Sequence, residues 1–189
     1  GPSGSGKTTL LNIIGALDLA DSGRIVMDGN AFDKMNRSQR ADLRLNKVGF
    51  VFQSYNLIPV LSALENVEFV MLLQGLPSVE RRKRAKDILD EVGLQGMYDR
   101  RPAELSGGQQ QRVAVARAIV SNPSIVLADE PTANLDSSTG KGLLEIMKQM
   151  NEKKNVTFIF STHDNMVMDY ADRVIYLRDG MVADDRVKI

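Results

Sequence analysis

The chain has 189 residues, with 24 basic and 24 acidic side chains, a single histidine and no cysteine. Because its formal net charge is zero, it lacks the positive excess that is typical of nucleic-acid-binding proteins. The absence of cysteine excludes disulfides, zinc sites with thiolate ligands and thiol nucleophiles. A metal centre with several histidines is also excluded, and any imidazole chemistry must use His163.

The first predicted element is a helix that begins at Lys7 and has one apolar face. That face consists of Leu10, Leu11, Ile14 and Leu17. Residues 24–28 predict a short strand, which the turn residues Asp28, Gly29 and Asn30 close. A second helix is predicted over residues 37–45.

Four apolar runs predict the main strands. They are residues 48–52, 125–128, 156–160 and 174–177. Runs that are apolar throughout are typical of strands buried on both faces of a parallel sheet. Helical patterns separate them at residues 62–73, 78–92, 107–120 and 137–150. We therefore expect an α/β fold with a mostly parallel sheet.

The interval between the strands at 48–52 and 125–128 holds about seventy residues, far more than one crossover helix needs. An inserted helical subdomain accounts for the excess. We expect residues 1–53 and 122–189 to form the core and residues 54–121 to form this subdomain, within one domain of 189 residues. The basic cluster at 80–86 is interpreted as a solvated helix face, with an anionic membrane or nucleic-acid partner as the alternative.

A glycine-rich loop at the start of the chain matches the phosphate-binding pattern, in which Gly1 and Gly6 are followed by Lys7 and Thr8. The glycines let backbone N–H groups turn inward towards a polyphosphate, and the helix that follows adds positive potential. Lys7 would reach the β- and γ-phosphates, and the Thr8 hydroxyl would hold Mg²⁺. A flexible Gly/Ser terminus is the alternative. The candidate nucleotide-binding residues are Gly1, Pro2, Ser3, Gly4, Ser5, Gly6, Lys7, Thr8 and Thr9.

Loops of this kind normally follow a buried strand, and Gly1 has no residue before it. We expect the natural chain to continue upstream by roughly 30 to 45 residues, which would include that strand and an aromatic residue.

Two acidic residues follow the apolar run at 125–128. A carboxylate at the carboxyl end of a strand beside a phosphate loop is placed to meet the bound metal ion, which makes Asp129 a metal-binding candidate. Glu130 could polarise a water molecule for attack on the γ-phosphate. The alternative is that these two acidic residues simply end a strand and have no catalytic role. The presence of the phosphate loop argues against this alternative.

A second candidate anion site is the sequence Leu105-Ser106-Gly107-Gly108-Gln109. Ser106 is a candidate N-cap, and the glycines leave backbone N–H groups free at the start of the predicted helix. One chain therefore carries two helix starts that are suited to phosphate.

With these motifs in this order, the chain resembles the ATP-binding cassette ATPases. The resemblance implies an α/β fold of the P-loop NTPase, RecA-like type, with an inserted α-helical signature subdomain, and it implies ATP and Mg²⁺ as cofactors. It also implies a head-to-tail dimer in which the signature of one subunit covers the nucleotide on the other. Ser106, Gly107, Gly108 and Gln109 would then contact the nucleotide of the partner, with Ser106 and Gly108 at its γ-phosphate.

The resemblance assigns roles to three further residues. Gln53 would contact Mg²⁺ and the attacking water, and the segment after it would meet the transmembrane partner. Asp136 would belong to the loop that links the two active sites across the dimer. His163 would contact the γ-phosphate, although a lone histidine is more often a surface or core residue. The implied catalytic set is Lys7, Gln53, Glu130 and His163, and the implied metal-binding set is Thr8, Gln53 and Asp129.

Several segments are similar to the bacterial lipoprotein-release and macrolide-export subgroup, including Leu64-Glu65-Asn66-Val67. The expected function is therefore that of the ATP-hydrolysing motor subunit of a transporter. It would lie peripherally at the cytoplasmic side of a bacterial inner membrane and pair with a second ATPase subunit and with transmembrane permease subunits. An importer ATPase of the amino-acid type and a cassette ATPase of DNA repair or translation are the alternatives, although no nucleic-acid partner is expected.

Overall fold

The computed structural model describes residues 1–32 and 34–188. Helix α1, Lys7–Ile14, begins directly after the glycine-rich loop. The loop turns at Gly6, whose φ of 94° lies in the left-handed region that glycine adopts without a steric penalty. The helix ends before Leu17, because Ala16 also takes a positive φ of 54°. Leu17 was predicted on the apolar face of this helix but lies beyond its end.

The central sheet has three parallel strands, which are β3 (Val48–Val51), β4 (Ile125–Asp129) and β5 (Thr157–Ser161). They lie side by side in the order β3-β4-β5. The register pairs Val51 with Ala128 and Ala128 with Phe160, so the carboxyl ends of all three strands lie at one edge. The three apolar runs at 48–52, 125–128 and 156–160 thus form parallel strands as predicted.

The fourth predicted strand of that sheet was assigned wrongly. Residues 174–177 belong to β6 (Arg173–Arg178), which pairs antiparallel with β7 (Met181–Val187) in a separate two-stranded sheet. Asp179 and Gly180 join them with φ values of 49° and 76°, as a tight hairpin turn requires. A hairpin of the same kind joins β1 (Val26–Met27) to β2 (Asn30–Ala31).

Six further helices complete the described fold. They are α2 (Arg37–Lys47), α3 (Ala63–Leu73), α4 (Ser78–Glu91), α5 (Gly107–Ile119), α6 (Ser137–Lys154) and α7 (Asn165–Tyr170), and a 3₁₀ turn spans Pro102–Glu104. Most of the helices begin at a side-chain cap. Capping boxes precede α2, α3 and α5, with Asn36, Ser62 and Ser106 as the respective caps. Aspartates cap α6 and α7.

The apolar core lies in two clusters. The larger one joins α3, α4 and α5 to one face of the central sheet, where Val51 and Val113 are fully buried. The smaller one lies between α1 and the opposite face, around Leu11 and Leu127. Since the sheet is covered on both faces, its strand ends are held rigidly, and the loops that follow them are positioned accurately.

Asn66 on α3 is a fully buried polar side chain that fastens the segment before the helix. Its Oδ1 accepts from the Ile58 N–H at 2.8 Å, and its Nδ2 donates to the carbonyls of Ile58, Leu61 and Ser62. We expect Asn66→Ala to lower the free energy of unfolding by roughly 2–4 kcal/mol, because buried polar groups lose their partners. Chemical denaturation measures this change. The exposed Asn165→Ala is the control, and equal stability of the two variants would contradict the role of Asn66.

Candidate functional site

A cavity of about 410 Å³ opens where the carboxyl ends of the three parallel strands meet the start of α1. It brings together six residues that the sequence predicted for chemistry, along with most of the phosphate loop. It also includes Ala133 and Ser161, which sequence reasoning did not single out. The described lining consists of Ser3, Gly4, Gly6, Lys7, Thr8, Thr9, Gln53, Asp129, Glu130, Ala133, Ser161 and His163.

The phosphate loop is already curled in this structure. The Lys7 ammonium donates to the carbonyl oxygens of Gly1 and Pro2, each at 2.8 Å. Gly4 and Gly6 both have positive φ, and Gly6, the N-cap of α1, has no side chain with which to cap the helix. The first N–H groups of α1 therefore remain free to bind an anion.

Thr8 and Asp129 meet on one side of the cavity, although 121 positions separate them in the chain. The Thr8 hydroxyl donates to the Asp129 carboxylate, with distances of 3.0 Å to Oδ2 and 3.3 Å to Oδ1. Gln53 follows β3 and lines the same cavity. These three side chains offer hydroxyl, carboxylate and amide oxygens, the ligand type that Mg²⁺ takes in proteins. The donor set thus fits Mg²⁺.

Glu130 faces His163 across the end of the sheet. Glu130 Oε1 lies 2.8 Å from His163 Nδ1, and Oε2 accepts from the Thr162 hydroxyl at 3.3 Å. The backbone of Glu130 has a φ of 46°, and its N–H donates to the Ser161 carbonyl at 2.9 Å. This left-handed conformation turns the chain sharply after β4. Thr162 was not predicted, because a threonine between two strand-end residues has no distinctive pattern.

The signature residues Ser106–Gln109 lie outside the cavity lining that the structure describes. Ser106 Oγ accepts from the Gln109 N–H at 3.3 Å, while Gln109 Oε1 accepts from the Ser106 N–H at 2.9 Å. The predicted N-cap is therefore present. The Ser106 hydroxyl is exposed and acts as an acceptor in the cap, so its proton remains available for a ligand.

Asp136 also lies outside the described cavity lining, at the N-cap of α6. Its Oδ1 accepts from the N–H groups of Ser138 and Thr139, each at 3.0 Å, and from the Ser138 hydroxyl at 2.6 Å. The hydrogen bonds from Ser138 and Thr139 hold the pKa of Asp136 well below its usual range. Asp136 is thus a stable negative charge at neutral pH.

Residues 1–133 match the ABC transporter family, and this span includes the phosphate loop, Gln53, the signature and Glu130. The chain belongs to the ABC transporter family. It is an ATP-binding cassette ATPase of the transporter type. The family and activity that the sequence motifs predicted are therefore confirmed.

Relatives and solved structures agree with this assignment. The chain is 47% identical over 182 residues to an uncharacterized ABC transporter ATP-binding protein of Thermotoga maritima, covering 96% of this chain and 77% of that protein. It is also 47% identical over 188 residues to the macrolide export ATP-binding/permease protein MacB of Brucella melitensis, covering all of this chain but 29% of that protein. The predicted similarity to the macrolide-export subgroup is thereby confirmed.

A dimeric structure of the ATP-binding cassette MJ0796, bound to ADP and Pi in a post-hydrolysis state, has a TM-score of 0.89. It is 44% identical to this chain, and the match covers 98% of this chain and 82% of that chain. MJ0796 comes from Methanocaldococcus jannaschii.

Among the residues described in our structure, no helix is both long and apolar enough to span a bilayer.

Proposed function

We propose that this chain is the motor subunit of a membrane transporter and hydrolyses ATP at composite sites in a head-to-tail dimer. The observation that carries the proposal is the division of the predicted site. Lys7, Thr8, Asp129 and Glu130 line one cavity, whereas the signature lies outside the described lining. A second copy of the chain, presenting its signature to this cavity, would complete the site.

ATP would enter with its phosphates against the loop at residues 1–9. The N–H groups of the loop and of α1 donate to the phosphate oxygens, and the α1 dipole favours their negative charge. Lys7 exchanges its two carbonyl partners for the β- and γ-phosphates. These interactions need no net positive charge on the protein, in agreement with the neutral composition.

Thr8, Asp129 and Gln53 would hold Mg²⁺ through their oxygen atoms. When bound, the ion neutralises part of the negative charge on the phosphates. In this structure the Thr8 hydroxyl donates to the Asp129 carboxylate. That hydrogen bond would help to orient the Thr8 oxygen as a ligand of the ion.

Glu130 would orient the water that attacks the γ-phosphorus and would accept its proton. Its carboxylate is held from two sides, by Thr162 and by His163, and only 17% of its side chain is exposed. A carboxylate that is held in this way needs little reorganisation when the water binds. His163 lies beside it and would contact the departing γ-phosphate.

On the partner's nucleotide, Ser106 and Gly108 would contact the γ-phosphate, with Gly107 and Gln109 beside them. Asp136, a stable negative charge at the start of α6, would lie at the junction of the two sites. Because ATP contacts both subunits only in the closed dimer, its binding stabilises closure, and hydrolysis removes the bridging phosphate.

We also propose the division of the chain into a catalytic core, at residues 1–53 and 122–189, and a helical subdomain at residues 54–121. Packing of α3 against α4 and α5 supports the subdomain. Helix α5 packs against β3 as well and so connects the two parts. We propose peripheral binding at the cytoplasmic side of the inner membrane, next to permease subunits of the macrolide-export or lipoprotein-release type.

Mixing two inactive variants tests the composite site. Ser106→Asp keeps an N-cap residue but places negative charge where the partner's γ-phosphate would lie. Lys7→Ala impairs the phosphate loop. A heterodimer of the two has one doubly impaired site and one intact site, so an equal mixture should recover about a quarter of wild-type ATPase activity, since half of randomly paired dimers are mixed.

Ser106→Thr serves as the control, since threonine keeps both the cap and a neutral hydroxyl. It should remain active. The ATPase rate of the mixture is measured against each variant alone at the same total concentration. Absence of any recovery, with both variants folded by circular dichroism, would contradict a site shared between two subunits.

A further inference from the structure

The loop that follows Gln53 has an unusual backbone. Tyr55 and Asn56 are consecutive non-glycine residues with φ values of 60° and 48°. Left-handed conformations are costly for side chains such as tyrosine, and they persist only where the surrounding structure holds them. Contacts from other parts of the fold must therefore stabilise this loop, whose first residue, Gln53, lines the cavity.

Arg117, near the end of α5, makes two of these stabilising hydrogen bonds. Its Nη1 donates to the Asn56 carbonyl at 2.5 Å, and its Nη2 donates to the Tyr55 carbonyl at 2.9 Å. The carbonyl groups of both left-handed residues are thus bound by the two Nη groups of one planar guanidinium. Burial lowers the pKa of Arg117, but a guanidinium stays charged under all ordinary conditions, so both hydrogen bonds are charge-assisted.

Asn134 makes a second hydrogen bond to this loop. It belongs to the loop between Glu130 and Asp136, and its Nδ2 donates to the Gln53 carbonyl at 2.9 Å. The Gln53 loop is therefore tied to the helix that begins with the signature and to the loop that follows Glu130. Neither Arg117 nor Asn134 belongs to the described lining of the cavity.

We propose that Arg117 and Asn134 are positioning residues, which hold the Gln53 loop so that the Gln53 side chain points into the cavity. This inference rests on the proposed role of Gln53 at the metal ion and the attacking water. It also gives α5 a mechanical role. Because Arg117 and Ser106 lie at opposite ends of the same helical segment, a shift of α5 moves both the signature and the Gln53 loop.

A double-mutant cycle tests the proposal. In otherwise wild-type protein, Arg117→Ala should lower kcat for ATP hydrolysis roughly 10- to 100-fold, as expected when a catalytic group is displaced by about an ångström. The Kd for ATP should change by no more than about threefold, because the phosphate loop is untouched. In a Gln53→Ala background, Arg117→Ala should lower kcat by less than about twofold, since the residue that it positions is gone.

Arg112→Ala provides the matched control. Arg112 lies on the same helix, but its guanidinium donates to the Val92 carbonyl instead of to the carbonyls of the Gln53 loop. This variant should keep kcat within about twofold of wild type. Arg117→Lys keeps the charge but loses the two-pronged geometry, so it should restore only part of kcat.

Asn134→Ala repeats the cycle with an exposed side chain whose removal leaves the core intact, in case Arg117→Ala fails to fold. An undiminished effect of either substitution in the Gln53→Ala background would overturn the positioning role. The positioning role would also be overturned if either substitution raised the Kd for ATP by the same factor as it lowered kcat. Full activity of Gln53→Ala alone would contradict the role of Gln53 in the proposed function, and the positioning proposal would fall with it.

Discussion

Replacing Glu130 by glutamine is expected to lower the rate of ATP hydrolysis by roughly 10²- to 10⁴-fold, the usual contribution of a general base. Glutamine has nearly the same shape and can still pair with Thr162, but it cannot accept a proton from water. ATP binding should be kept, because the phosphate loop is unchanged. The variant should therefore accumulate as a dimer with ATP bound.

Single-turnover hydrolysis measures the chemical step, and size-exclusion chromatography with ATP and Mg²⁺ measures the dimer. Glu152→Gln is the matched control, since Glu152 is exposed near the end of α6. It should hydrolyse ATP at the wild-type rate. Turnover by the Glu130→Gln variant at the wild-type rate would remove Glu130 from its proposed role.

The second large effect is expected at Lys7. Its ammonium is held by two carbonyl oxygens in this structure and would transfer to the phosphates of ATP. Lys7→Ala removes a charge-assisted interaction of about 1.5–3 kcal/mol, which corresponds to a rise in Kd of roughly 10- to 100-fold. Isothermal titration with ATP measures the change.

Lys148→Ala is the control, because Lys148 is exposed on α6 and its loss removes the same charge from the chain. It should bind ATP as tightly as wild type. Unchanged affinity in Lys7→Ala would contradict the phosphate-loop assignment, whatever the rate of hydrolysis.

Local patterns in the sequence predicted most elements well. The helix starts at Ser62 and Ser106 follow from capping residues, which act within three positions of the chain. The parallel strands follow from apolar runs. The hairpin of β6 and β7 was missed, although Asp179-Gly180 repeats the turn pair Asp28-Gly29 that had been recognised. The turn signal of this hairpin is therefore present in the sequence.

Other features could not be predicted from local patterns. The short helix α7 has six residues, less than two helical turns, so a helical period cannot be recognised in it. The contacts of Arg117 with Tyr55 and of Asn134 with Gln53 join residues 62 and 81 positions apart. Such contacts depend on where α5 and the loop after β4 lie against the sheet. The hydrophobic periodicity of a single segment does not determine either position.

The chemical groups of the site follow from short stretches of sequence. A glycine-rich loop before a helix binds phosphate, because residues within about one turn set its backbone conformation. Acids that directly follow an apolar run are expected at the carboxyl end of a buried strand, where α/β folds place their ligands. Which groups meet is a matter of strand order and register. The alignment of β4 with β5 brings Glu130 to His163, and the packing of α1 brings Thr8 to Asp129. These pairings depend on burial of apolar surface between distant segments, which no single stretch of sequence specifies.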